Sequence, residues 1–299
     1  MSARSAPVQS MIKGLDHVVV AVRDLDAAVG AYQTLLGRSA SWRAEAHGGG
    51  AEIASFGLAN VGLELMAPSG DGPMAERLRA VLDTEGEGLA SIAFAVDDIE
   101  RAHRRLARVG LDPEPIAAAE SVDRVSGARR RWRRTRASTG ATHGVRIFLM
   151  QPDTPPPAPP AADPAVVTGL DHVVIRTPDA ERAAALYGAR LGLDLRLDRS
   201  NPEWGARLMF FRCGDLIVEI AHDLETGVSS APDRLWGLSW CVPDARAARR
   251  RLQAAGLDVS EVRPGRKAGT RVFTVRDKTC GVPTLVLEAA PIDLPRPGT

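Results

Sequence analysis

Among the six histidines of this 299-residue chain, two occupy matching settings. His17 lies in GLDHVV and His172 in a second GLDHVV, and an acid follows each at the same distance, Glu64 in GLELM and Glu219 in IVEIA. A carboxylate between apolar neighbours in a strand is costly to bury without a partner. The bland account is an inward acid paired with its His or with an Arg. The functional account is that imidazole and carboxylate together hold a divalent metal, or that the acid moves protons. His17 with Glu64 and His172 with Glu219 are therefore candidate metal half-sites, and Glu64 and Glu219 are candidate catalytic acids. The other histidines (His47, His103, His143 and His222) read as structural or solvent-exposed.

A second feature is RVSGARRRWRRTR, residues 124–136, with seven arginines and no acid. As a strand it would alternate, placing Arg129, Arg131 and Arg133 on one face and Trp132 on the other. Those three guanidiniums would form a clamp for carboxylate or phosphate, and the indole could stack on a ligand. The competing account is a solvated basic loop.

Internal repeats supply the elements that position these groups. An offset of 155 carries His17 to His172, Asp24 to Asp179, Tyr32 to Tyr187, Gly37 to Gly192, Phe56 to Phe211 and Glu64 to Glu219 without a gap. A weaker offset of 146 carries IAFAVDD (92–98) to LSWCVPD (238–244) and Gly110 to Gly256. Each repeat reads as a β-branched or apolar strand, an Asp that can cap a helix, an amphipathic helix and a Gly that can end it. Apolar strands follow. The expected fold is α+β, with four βαβββ modules at 14–67, 88–152, 169–222 and 236–290. A single module would leave a sheet face uncovered, so adjacent modules should pair into domains at 14–152 and 169–290. Tails at 1–13 and 291–299 flank them, and a linker at 153–168 joins them. Seven prolines within residues 152–164 support that linker.

These segments resemble the vicinal oxygen chelate superfamily, which includes glyoxalases, epimerases, extradiol dioxygenases and bleomycin-resistance proteins. GLDHVVVAVRDLDAAVGAYQTLLG, VGLELMAP and GLASIAFAVDDIERAHRRLARVGL carry the resemblance. It implies two tandem glyoxalase-like domains, each with a cleft in which His and Glu hold a metal. His17, Glu64, His172 and Glu219 match those positions. The second and fourth modules depart, offering Ser91 and Phe148, and Gly237 and Leu285, where ligands are expected; Gln151 and Glu288 fall on the opposite strand face. Each domain thus keeps two donors, fewer than catalytic sites usually supply. The resemblance implies two functional readings. One is a lyase, isomerase or dioxygenase-type enzyme, assisted by Fe, Mn, Ni, Zn or Mg, acting on a small organic acid, thioester or aromatic. The other is a metal-free protein that sequesters a small molecule.

Composition narrows the partners. Lys and Arg number 38 against 37 for Asp and Glu, which argues against nucleic acid. No run of 18 apolar residues argues for a membrane span. Three cysteines without CxxC spacing, together with an N-terminus lacking an apolar leader, lead to the expectation of a cytoplasmic protein. A small, anionic ligand is expected, bound by a monomer or homodimer. The arginine-rich N-terminal domain is the better place for it.

Overall fold

A computed structural model describes residues 11–153 and 163–290. The tails at 1–10 and 291–299, and linker positions 154–162, lie outside the described residues.

The N-terminal half runs β1 (Ile12–Ala21), α1 (Leu25–Leu36), β2 (Trp42–Glu45), β3 (Ala51–Gly57), β4 (Gly62–Pro68), α2 (Pro73–Glu85), β5 (Gly88–Val96), α3 (Ile99–Arg108), β6 (Ala117–Val122), β7 (Arg129–Arg136) and β8 (Ile147–Pro152). The C-terminal half runs β9 (Gly169–Thr177), α4 (Ala180–Ala184), β10 (Asp194–Asn201), β11 (Ala206–Cys213), β12 (Leu216–Asp223), β13 (Arg234–Val242), α5 (Ala245–Ala254), β14 (Arg263–Pro264), β15 (Arg271–Val275) and β16 (Thr284–Glu288). Helix α4 continues as a π-turn over Ala185–Arg190. The four-module α+β reading describes this order; α2 is an addition that it did not anticipate.

Each module's helix starts on an aspartate. Asp24, Asp98, Asp179 and Asp244 accept from the backbone N–H groups of Ala27, Arg101, Arg182 and Ala247 at 3.0, 2.8, 3.0 and 2.9 Å. These side chains satisfy donors that a helix start leaves free. Gly37 ends α1 with φ 74°, a left-handed conformation suited to glycine.

The strands form two eight-stranded sheets, ordered β2-β3-β4-β1-β5-β8-β7-β6 and β10-β11-β12-β9-β13-β16-β15-β14. Adjacent modules join through antiparallel β1–β5 and β9–β13 pairs. His17 and His172 consequently belong to different sheets, and the four His and Glu residues do not converge on one site. Alternation puts Val18, Val20, Leu63 and Leu65 in the core and turns His17, Val19 and Glu64 to the other face.

Helices α1, α3, α4 and α5, from both halves, pack within one apolar core, whereas α2 packs separately against Ala21 and Ala51. Arg251 of α5 donates to the carbonyls of Thr34 and Leu35 at the end of α1. Its repeat equivalent, Arg105 of α3, donates to the Ala189 carbonyl at the end of the α4 π-turn. Tyr32, fully buried, donates to the Thr279 carbonyl at 3.1 Å across the same boundary. The His–Glu face of each sheet is the one turned away from that core.

Candidate functional site

The N-terminal sheet is drawn together at its ends. Trp42 Nε1 of β2 donates to Ser121 Oγ of β6 at 2.9 Å. Arg43 N donates to Asp123 Oδ1 at 2.8 Å, and Arg124 N donates to the Arg43 carbonyl at 2.7 Å. Three hydrogen bonds thus link the two edge strands and wrap the sheet around the face carrying His17 and Glu64. Asp123 also accepts from Ser126, and these bonds hold its carboxyl down at about 2.

On the floor of this cleft, His17 Nδ1 lies 2.6 Å from Asp16 Oδ1. Burial alone would lower the imidazole pKa, but the Asp16 hydrogen bond and the charges of Asp16 and Glu64 outweigh it and the pKa rises. Glu64, on the neighbouring strand, stands directly across from Ser55 of β3. Burial raises its pKa, opposed chiefly by the charge of His17. Burial thus raises the pKa of the carboxyl while acidic neighbours raise that of the imidazole beside it, a pairing suited to proton transfer.

Arg134 acts electrostatically on both His17 and Glu64, and Arg130 acts on Glu64 and Asp16. Arg130 stacks on Trp42 at 4.1 Å, while Arg134 and Arg136 both stack on Phe148 at 5.8 Å. Strand parity places Trp132 on this face too, with a buried Nε1 that has no hydrogen-bond partner.

This corrects the expected clamp. Residues 129–136 do alternate, but Arg129 and Arg131 pair with Glu120 on β6, and Arg133 pairs with Glu100 on α3 and with Gln151. Acids on neighbouring elements thus engage every arginine of that face. The cleft takes the even-numbered arginines, on the side of Trp132. Sequence reasoning missed Arg130, Arg134, Arg136, Trp42, Ser55 and Phe148; the available signal was Glu120, whose strand partner is Arg131.

In the C-terminal cleft, His172 Nδ1 lies 2.7 Å from Asp171 Oδ2, and its Nε2 lies 2.7 Å from Ser239 Oγ and 3.4 Å from Glu219 Oε2. Burial raises the Glu219 pKa, with the charges of His172 and Arg266 opposing. This sheet has no closure like that of Trp42 and Arg43 among the described residues; instead Arg199 and Arg266 stack on Trp204 at 4.9 and 4.3 Å. Gln151 and Glu288, the late polar residues, accept from Ile99 N and Ala245 N at the starts of α3 and α5. They serve the helix side, as their strand parity requires.

Neither cleft fits a resident divalent ion as arranged. No group of three His, Cys, Asp or Glu suited to a metal occurs among the described residues. In the N-terminal cleft the charge of Arg134 acts on both His17 and Glu64 and would oppose a second cation. The Nε2 of His172 is already engaged by the Ser239 hydroxyl. Two cavities of about 570 and 370 Å³ lie at the boundary between the halves, beside Cys280 and His143, away from both His–Glu pairs.

Comparison with known proteins agrees with this architecture. Residues 15–192 match the glyoxalase-like domain family, and residues 171–274 match the glyoxalase/bleomycin resistance protein/dioxygenase superfamily. The chain belongs to this superfamily, the vicinal oxygen chelate group, with its domains in tandem. An ethylmalonyl-CoA/methylmalonyl-CoA epimerase of Cereibacter sphaeroides is 34% identical over 97 residues, 30% of this chain and 72% of the relative. In fold, the chain is similar to a mutant 4-hydroxymandelate synthase from Streptomyces coelicolor (TM-score 0.67, 17% identity, 92% of each chain). It is also similar to a Mn(II)-bound glyoxalase from Novosphingobium aromaticivorans (TM-score 0.62, 16% identity, 93% of this chain and 82% of that one). No helix among the described residues is long and apolar enough to cross a membrane.

Proposed function

We propose that the N-terminal cleft binds a small organic anion, a carboxylic acid or an acyl thioester, and that Glu64 moves a proton at the carbon beside its carbonyl. The observation that carries this is Arg134, whose positive charge acts on both His17 and Glu64. Among the described residues Arg130 and Arg134 make no carboxylate ion pair, unlike Arg129, Arg131 and Arg133, so their forks are open to an incoming anion. Phe148 and Trp42 back those guanidiniums and offer flat apolar contact. The raised Glu64 pKa suits a group that must take and return a proton within one turnover. His17, held by Asp16, keeps its Nε2 side for the ligand, and its raised pKa favours a cation there. The epimerase named among the relatives supports proton-transfer chemistry.

The test follows a panel of short-chain acids and acyl-CoA thioesters by NMR in deuterated buffer containing EDTA. Deuterium should enter the position beside the carbonyl. Glu64→Gln should abolish that exchange while leaving binding in place, and Arg134→Gln should weaken binding. A second reading is sequestration without turnover. It is favoured by the two-donor sites, since each domain lacks the third ligand that catalytic metal centres usually have. Binding without exchange in the unmodified protein would select it.

A further inference from the structure

In the C-terminal cleft, the nitrogen of His172 that a metal would need is bonded to a hydroxyl. We infer that Asp171, His172 and Ser239 form a proton relay that makes Ser239 a nucleophile toward small activated esters or thioesters. Asp171 Oδ2 lies 2.7 Å from Nδ1 and Ser239 Oγ lies 2.7 Å from Nε2, so the acid and the hydroxyl address opposite ring nitrogens. That is the arrangement by which a carboxylate fixes the imidazole tautomer and leaves Nε2 free to take a hydroxyl proton. In the N-terminal cleft the residue across from His17 is Ala93, whereas Ser239 stands across from His172. The relay therefore exists in one half only.

The surroundings suit the chemistry. Glu219, 3.4 Å from Nε2, lies next to the imidazolium that forms when the proton moves. Arg266, held against Trp204 at 4.3 Å, places a cation near the cleft floor, where an attacked carbonyl would develop negative charge. Ser239 is only 3% exposed and lies on the floor between side chains that keep 15% (His172) and 13% (Glu219) of their surface.

The reaction balances without a further reagent beyond water. The Ser239 proton passes to His172 Nε2 as Oγ bonds to the acyl carbon. The bond to the leaving alcohol or thiol breaks, and His172 returns the proton to it. Water then attacks the acyl-serine, giving a proton to His172, and the released Oγ recovers it.

The experiment uses the full chain with 4-nitrophenyl acetate and, separately, a fluorophosphonate. A burst of one nitrophenolate per chain and a phosphonyl adduct mapped by mass spectrometry to Ser239 are expected. Ser239→Ala should lose both while keeping the unfolding transition of the parent protein. Asp171→Asn should slow the burst by at least about tenfold and change its pH profile, because the tautomer is no longer fixed. An adduct at another residue, no adduct, or Ser239 labelling unaffected by His172→Gln would each overturn the inference. Because the relay lies in the C-terminal sheet, these readouts are separate from proton exchange in the N-terminal cleft.

Discussion

Replacing Arg134 by Gln tests the anion-binding cleft most directly. The guanidinium of Arg134 stacks on Phe148 and acts on both His17 and Glu64. One charge-assisted bond to a ligand carboxylate contributes about 1.5–3 kcal/mol, which corresponds to a loss of about 10- to 150-fold in affinity when it is removed. The substitution also removes a positive charge that lowers the pKa values of both floor residues, so both should rise. Calorimetry reads the first effect, and NMR titration of the His17 ring protons reads the second. Arg131→Gln is the control, because Arg131 pairs with Glu120 on the other face. Equal affinities for the parent protein and Arg134→Gln, with a ligand whose contacts to Trp132 are seen by NMR, would refute the placement. An unmoved His17 titration would refute the electrostatic argument independently.

Three further outcomes are expected. Adding Mn(II) or EDTA should leave both ligand affinity and Tm unchanged; a saturable rise in Tm with Mn(II) would show a metal site. Asp123→Asn should loosen the N-terminal sheet, since Asp123 accepts from Arg43 and Ser126. The folded carboxyl titrates at about 2, below its ordinary value of 3.8, so its contribution is present above 3.8 and disappears as pH falls through 2. Urea titrations across that range should show the variant's deficit shrinking to nothing. Gly281→Ala should cost about 3 kcal/mol or more by urea denaturation, because its new Cβ would meet the Glu87 carbonyl at 2.2 Å from a residue at φ 72°.

How much the sequence disclosed depended on which physical signal each feature left in it. The repeat offsets fixed the modules because the capping aspartates and helix-ending glycines recur wherever a module begins its helix. The turn of Glu64 and Glu219 away from the core followed from strand parity, since Leu63, Leu65, Val218 and Ile220 had to enter it. Parity also predicted alternation in residues 129–136 but carried no sign. Arginine on both faces leaves no apolar residue to mark the inside except Trp132, and the indole marks the cleft. Resolving the ambiguity requires the partner strand, because Glu120 opposite Arg131 neutralises one face and leaves the other charged. Helix α2 left a weaker trace, with Pro73 at its first position and three buried apolar residues.

Glu64 closes the argument, because the two readings of its burial predict opposite stabilities. If its carboxyl served only to hold the strands together, Glu64→Gln would destabilise the fold at every pH. Its pKa is instead raised by burial, opposed mainly by the charge of His17. A carboxyl whose folded pKa exceeds its unfolded value contributes stability below the unfolded value and loses it as pH rises through the folded one. At neutral pH the ionised form is therefore a cost that the fold carries. Gln keeps the shape without that cost, so the variant should be more stable than the parent at neutral pH. The advantage should fade as pH falls below the ordinary carboxylate value of 4.5, where both side chains are neutral. Urea denaturation at a series of pH values measures this, and a variant less stable than the parent at neutral pH would sink it. A residue that lowers stability in its working ionisation state, and lies beside an imidazole and a guanidinium, fits a site shaped for proton transfer to a bound anion.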